Sequence, residues 1–345
     1  MNDQWKFLPT TVGLSDNSLQ NLVVVTCISN PVRFKSRYAL YKRFADAMTK
    51  AGVRLITVEQ GLGERPFEIT ERDHILHLQV RTEDELWHKE NMINLGFNYA
   101  LQIFPDARYF ASVDADVLPM GGADAVRPWL EETVQMLQHH HVVQMFETAI
   151  DLGPDDQMVG QPVTSFMARY IQSGYEMPQR GGYWSENDYH ELHGHPGYAW
   201  AYTKHALDNM SSPLGGPLIE HAILGAGDRH MALGLVGCME QSFEHLNDAY
   251  RSTLMQWQMR CERWIKRDVG YVKRSLYHYW HGKKRDRGYT DRWKILRDNN
   301  YDPMTDLTRD AQGLLKLETW DDRQIRLRDQ IRSYLRSRNE DSIDL

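Results

Sequence analysis

Cysteine is scarce in this chain: Cys27, Cys238 and Cys261 are the only three in 345 residues, odd in number and far apart. That spacing supports neither a disulfide framework nor a zinc knuckle, and the three read as reduced apolar fillers. Long apolar runs are missing as well. None approaches the ~18 residues that a membrane span requires, and the opening Met-Asn-Asp-Gln-Trp-Lys lacks the basic-then-apolar layout of a secretory signal, so a cytoplasmic protein without a membrane partner is expected. Positive charge is not in excess. The formal net charge of −7 argues against indiscriminate binding to nucleic acid and leaves only a local basic patch open. No Gly-x-Gly-x-x-Gly follows the first apolar run, which disfavours a dinucleotide-binding Rossmann unit.

What is there is an ordinary globular composition, 41% hydrophobic, enough for one main domain with appendages. Leu22-Val-Val-Val-Thr-Cys-Ile28 reads as a central parallel strand. Helical spacing of Tyr38, Ala39, Tyr41, Phe44, Ala45 and Met48 predicts a helix over 35–50, closed by Gly52, and Val53 to Val58 reads as a second strand. Thr82 and Glu85, at capping-box spacing, predict a helix start, with an apolar face running to about Phe104. Inside it, Trp87-His88-Lys89-Glu90-Asn91 and Asn94-Leu95-Gly96 hold residues that cost helix propensity. They read either as a solvated face with a packing glycine or as a polar wall beside a site. A helix over 124–138, a strand over 142–146, a strand over 198–202 and a helix over 204–210 follow. The consecutive His139, His140 and His141 point in diverging directions and read as structural. From Asp151 to Gly197 periodicity vanishes, and a segment that long reads as an active-site loop or lid.

Chemistry concentrates in Tyr109-Phe-Ala-Ser-Val-Asp-Ala-Asp-Val-Leu-Pro-Met120, an apolar run ending in two carboxylates. A strand ending there delivers Asp114 and Asp116 to the rim of a sheet, where open α/β folds place ligands. Asp228 follows Gly225-Ala226-Gly227 and opens a helical pattern, so N-cap and catalyst are both open readings. His278 and His281 precede Lys283, Lys284, Arg285 and Arg287. Two imidazoles plus a basic loop suit a metal that itself holds a diphosphate, while aromatic-rich packing explains a His-x-x-His pair equally.

In order, Trp87-His-Lys-Glu-Asn-Met-Ile-Asn-Leu-Gly-Phe-Asn-Tyr-Ala-Leu101 and the Asp114 block resemble the paired Asn-Arg-x-x-Leu-x-Asn-x-Gly and Asp-Val-Asp-Leu-Ile-Pro-Met segments of β-1,4-galactosyltransferase-type enzymes. Gly225-Ala-Gly-Asp228 resembles their Gly-Gly-Glu-Asp, and His278 to Arg287 resembles their Met-x-x-His-Ser-Arg-Asp-Lys-Lys. The resemblance spans roughly Leu22 to Asp291. It implies an α/β chain with the GT-A (nucleotide-diphospho-sugar transferase) fold, a mixed central sheet flanked by helices, over residues 1–290, with a helical C-terminal extension over 291–345. It implies a metal-dependent hexosyltransferase with a UDP-sugar donor. Asp116 and His281 match metal ligands, and His278 stands where the family has methionine, which favours Mn²⁺ over the oxygen-preferring Mg²⁺. For both histidines to ligate, a turn or kink near Trp280 is required. Asp228 matches the catalytic base, which implies inversion, but Gly227 departs from the acidic residue that precedes it in the pattern. The implied nucleotide-sugar contacts are Thr26, Asn30, Arg33, Glu59, Lys89, Asn91, Asp114, Lys283, Lys284 and Arg287.

The acceptor is less determined. Asn30-Pro-Val-Arg-Phe-Lys-Ser-Arg-Tyr38, Trp87 to Asn91 and Tyr277 to Arg287 also resemble the glycosyltransferases, many encoded by phages, grouped with the base-J glucosyltransferase. That likeness implies hydroxymethylated pyrimidine in DNA as a candidate acceptor, and a host cytoplasm as the setting. Arginines 323, 326, 328, 332 and 336 of a C-terminal helix would then track phosphates, or else form an ordinary solvated face. A glycan acceptor stacked on Tyr183-Trp184 or Tyr198 to Tyr202 remains open. So does a non-catalytic nucleotide or polyanion binder, which needs no base at Asp228.

Overall fold

The computed structural model of the chain describes residues 18–177, 192–212, 215–244, 246–288 and 292–344, without the side chains of residues 18, 284 and 285. The β-branched run becomes β1 (Leu22–Ser29), buried over its first five residues as a strand covered on both faces must be. After it come α1 (Lys35–Ala51), β2 (Arg54–Leu62), β3 (His77–Thr82), α2 (Lys89–Ile103), β4 (Tyr109–Val113), β5 (Val117–Pro119) and α3 (Ala123–Leu137). The middle of the chain supplies β6 (Val142–Gln144), β7 (Thr148–Asp151), β8 (Val163–Thr164), α4 (Phe166–Gln172), β9 (Ala199–Thr203) and α5 (Lys204–Met210). The last part adds α6 (Gly227–Leu235), α7 (Asp248–Trp264), β10 (Val269–Tyr271), β11 (Ser275–His278), α8 (Arg292–Asp298), β12 (Leu307–Arg309), β13 (Leu315–Leu317) and α9 (Asp322–Ser337).

Seven strands form a mixed central sheet in the order β10-β6-β9-β4-β1-β2-β3. β1 runs parallel to β2 and β4, and β2 parallel to β3, whereas β9 lies antiparallel between β4 and β6. Helices cover both faces. Val23 and Val25 of β1 pack with Ile93 and Phe97 of α2, and the alternate Leu22 and Val24 pack with Phe44 of α1 and Trp129 of α3, the period-2 split of a strand buried on two sides. Because β2 and β4 flank β1 on opposite sides, the winding reverses there. The crevice beyond the carboxyl ends of β1 and β4 is therefore the topological switch point, where such sheets bind ligands.

A second sheet, in the order β5-β11-β7-β8, feeds the same crevice. Its register pairs His278 with Val117 on one side and with Asp151 on the other. A histidine 162 positions downstream in numbering is thus set beside Asp116 by strand pairing.

Expectations change at the start of α2, in the C-terminal extension and in the 151–197 segment, while Gly96 keeps one of its two readings. The helix predicted from Thr82 begins at Lys89: the Thr82 hydroxyl takes the Asp84 N–H in a tight turn, and the buried Glu85 carboxylate instead receives Arg332 and Arg336. Gly96 is a packing glycine, since a Cβ there would collide with the Val25 side chain. The 291–345 extension is not purely helical, because the β12–β13 hairpin lies between its helices. Within the 151–197 segment the chain builds β8 and α4, and residues 178–191, with Tyr183 and Trp184, lie outside the described residues.

Candidate active site

A cavity of about 330 Å³ occupies the switch-point crevice, walled by Cys27 to Pro31 after β1, Val113 to Asp116 after β4, and Trp87 to Glu90 at the start of α2. At one end, ligand atoms of Asp116, His278 and His281 lie within 4.8 Å of one another. His278 ends β11, and the chain then leaves the strand, so that residues three apart converge: the two Nε2 atoms are 3.3 Å apart. Asp116 Oδ2 is 3.1 Å from His281 Nε2 and 4.0 Å from His278 Nε2, while Asp116 Oδ1 is buried without a hydrogen-bond partner among the described residues. The kink expected near Trp280 is present.

The donor set fits a divalent metal. His278 Nδ1 is 2.7 Å from Asp151 Oδ1, which fixes the ring and turns Nε2 inward. Arg287 Nη2 lies 3.1 Å from His281 Nε2, the same nitrogen that faces Asp116. Burial lowers the His278 pKa, partly offset by its bond to Asp151, which favours the neutral, ligating form. Burial alone would raise the Asp116 carboxyl, but the hydrogen bond and charge of His281, with His278 and Arg37, outweigh it and hold Asp116 well below the usual carboxylate range. Two imidazole nitrogens and one carboxylate oxygen make a donor set of the kind a borderline metal takes.

Next to this centre Lys89 Nζ grips both oxygens of Asp114, at 2.6 and 2.8 Å. Burial would lower the lysine pKa, yet Asp114, Glu90 and Asp228 together raise it, so Lys89 is the fixed counter-charge of three carboxylates. Burial pushes Asp114 up to about 6, against the pull of Lys89 and with help from Asp116. Asp228 lines the same cavity. It is not the helix cap: Ala226, at φ +75°, holds that position, and among the described residues the Asp228 carboxylate accepts its neighbour's N–H, from Arg229 at 2.8 Å.

The chain beyond α9 closes the metal end. Glu340 is bound by Arg37 Nη2 at 2.8 Å and Arg338 Nε at 2.9 Å, and its Oε2 sits 3.5 Å from His281 Nδ1. Asp341 accepts the Lys35 and Ser36 N–H groups at 3.0 and 2.8 Å, supplying the cap that α1 lacks locally. On another wall the ring of Tyr198 stacks on His195 at 3.9 Å and tilts against His278 at 4.8 Å.

Of the residues singled out from sequence, Asn30, Lys89, Asp114, Asp116, Asp228, His278, His281 and Arg287 line the cavity. Others do not. The Thr26 hydroxyl is spent on the Val113 carbonyl at 2.8 Å. The Glu59 carboxylate accepts the N–H groups of Glu68 and Thr70 at 2.7 and 2.8 Å and shapes a turn. Arg33 pairs with Glu68 on a small neighbouring cleft. Asn91 faces away, bridging Glu220 at 2.8 Å and the Leu315 N–H at 3.0 Å. Lys283 is half-buried and outside the cavity lining, and the Lys284 side chain lies outside the described residues. The five arginines of α9 are engaged within the protein: Arg323 with Asp306, Arg326 with Asn299, Arg328 with Asp329, and Arg332 and Arg336 with Glu85. Asp151 and Glu340 carry no local signal, since strand register and distant chain bring them in; Arg37 and Glu90 lie inside the Asn30–Tyr38 and Trp87–Asn91 stretches but were not singled out there.

No protein-family model matches the sequence, and no curated protein matches it. Solved structures do. The catalytic domain of Drosophila β1,4-galactosyltransferase 7 with xylobiose aligns over 89% of this chain and 98% of its own at 11% identity and TM-score 0.38. A mutant of that enzyme, in complex with manganese, UDP-Gal and xylobiose, aligns over the same shares at 9% identity and TM-score 0.37. Mannosyl-3-phosphoglycerate synthase from Rubrobacter xylanophilus covers 88% of this chain and 89% of its own at 12% identity and TM-score 0.38. No described helix is long and apolar enough to cross a membrane.

Proposed function

We propose that the protein is a metal-dependent GT-A glycosyltransferase that moves a hexose from a UDP-sugar to an acceptor hydroxyl with inversion. One observation carries the reading: a carboxylate–bis-imidazole cluster and the free-standing carboxylate Asp228 line a single cavity at the switch point, with the Lys89–Asp114 pair in that cavity as well. Asp116, His278 and His281 would hold the metal, and their nitrogen-rich set supports Mn²⁺ over Mg²⁺. When bound, the metal supplies Lewis-acid stabilisation of the diphosphate leaving group. Arg287 adds positive charge at the same end, and Lys89 holds Asp114 where it can orient the donor. Asp228 takes the proton of the attacking hydroxyl as its oxygen bonds the anomeric carbon. The anomeric C–O bond breaks with its electron pair leaving on the β-phosphate of UDP.

Hydroxymethylated pyrimidine in DNA stays an acceptor candidate on the base-J-type resemblance. The arginine face of α9 no longer supports it, since those side chains are committed to protein partners. The reading is tested by titrating UDP into the protein with and without Mn²⁺ and by following release of UDP from UDP-glucose and UDP-galactose. Mn²⁺-dependent binding with turnover is expected. Binding without turnover of any donor favours a nucleotide-binding protein instead.

A further inference from the structure

Glu90 sits in the second position of α2, and only 5% of it is exposed. It lines the cavity, and its Oε2 has no hydrogen-bond partner among the described residues. A buried carboxyl oxygen without a partner is costly to keep, so its retention calls for a ligand. Burial pushes the Glu90 carboxyl up to about 7, against the pull of Lys89 and with help from the charge of Asp228.

Gly227, next to Asp228 on α6, explains how Glu90 gets there. Its backbone is not in the left-handed region, so conformation does not demand glycine. Space does. A Cβ at 227 would lie 2.7 Å from Glu90 Cδ and Oε1 and 2.8 Å from Cγ, and those three atoms are its nearest neighbours. The carboxylate of α2 therefore fills the volume that a side chain preceding Asp228 would use.

We infer that Glu90 is an acceptor-binding residue, delivered from α2 into the place vacated at Gly227, where it takes a hydrogen bond from the hydroxyl-bearing acceptor beside the base Asp228. The inference rests on the glycosyltransferase reading. It concerns contact with the incoming nucleophile and leaves the donor and the metal untouched. The acceptor group it predicts at this spot is an uncharged hydroxyl, since an anion against Glu90, Asp228 and Asp114 is repelled.

The test moves the carboxylate back across the gap. Glu90→Ala, Gly227→Glu and the double variant are compared by UDP affinity with Mn²⁺ and by hydrolysis of UDP-glucose and UDP-galactose, with water as the accepting nucleophile. Glu90→Ala is expected to keep UDP affinity within about 2-fold while hydrolysis falls about 10- to 100-fold, the worth of one hydrogen bond to a charged group. Gly227→Glu alone crowds two carboxylates and also loses rate. The double variant, with the cavity side of 227 now open, recovers most of the wild-type rate, which loss of a structural residue alone does not produce. Hydrolysis at the wild-type rate in Glu90→Ala overturns the inference, and so does a double variant no better than Glu90→Ala. A wild-type protein that fails to bind UDP, or that turns over neither donor, overturns the transferase reading itself, which separates the two failures.

Discussion

His278 Nδ1 and Asp151 Oδ1 are 2.7 Å apart, at the paired ends of β11 and β7. This contact decides which imidazole nitrogen faces Asp116. A carboxylate behind a ligating histidine fixes its tautomer and raises its basicity. Replacing Asp151 with Ala is therefore expected to weaken Mn²⁺ binding about 10- to 100-fold while the fold survives. Calorimetric titration of Mn²⁺ against the wild type and the variant reads this directly; equal affinities would remove Asp151 from the centre.

Asp228 differs in kind from the metal carboxylate. Asp228→Asn keeps the shape and removes the proton acceptor, so UDP affinity in Mn²⁺ is expected to stay within about 2-fold while turnover drops about 10²- to 10⁴-fold. An asparagine variant with wild-type turnover contradicts the assignment of the base.

Glu90 makes stability depend on pH with a defined sign. Its folded carboxyl is raised from 4.5 to about 7, chiefly by burial. Between those values the folded state holds a proton that the unfolded chain has released. Stability therefore falls as pH rises through this window and stays lower above it. Glu90→Gln removes the penalty. The variant is expected to match the wild type near pH 4 and to exceed it by about 2–3 kcal/mol near pH 8, measured as urea midpoints at the two values.

Glu85, 7% exposed, is neutralised by Arg332 and Arg336 from α9 at 2.9 and 2.8 Å. Converting both arginines to Gln leaves a buried carboxylate without its cations and is expected to destabilise the protein by about 3 kcal/mol. If the protein binds hydroxymethylated DNA, the salt dependence of binding should keep its slope in this variant. A slope reduced by about 1 per arginine marks phosphate contacts instead.

Much of the scaffold was legible because its signals are local. The β-branched run of β1, the Gly52 stop and the helix over 204–210 all stand where periodicity puts them. Asp116, His278 and His281 converge in the arrangement that the family resemblance implied. Errors arose where a residue's facing depends on what packs against it. Asn91 follows Lys89 and Glu90 on the same helix, yet the β12–β13 hairpin and Glu220 claim it from behind. Thr26 and Glu59 lie outside the cavity lining, and each satisfies backbone groups of a neighbouring segment. Asp151 needed the pairing of β7 with β11, and Glu340 needed the path of the chain after α9. Neither leaves a trace in local composition.

Arg37 and Glu340 are 303 positions apart and meet against His281. During synthesis, the metal end of the cavity is left unfinished until residues 340 and 341 have emerged and folded back onto α1. A ribosome-bound chain stopped before that point carries every proposed ligand and the proposed base, yet lacks the clasp that positions one of them.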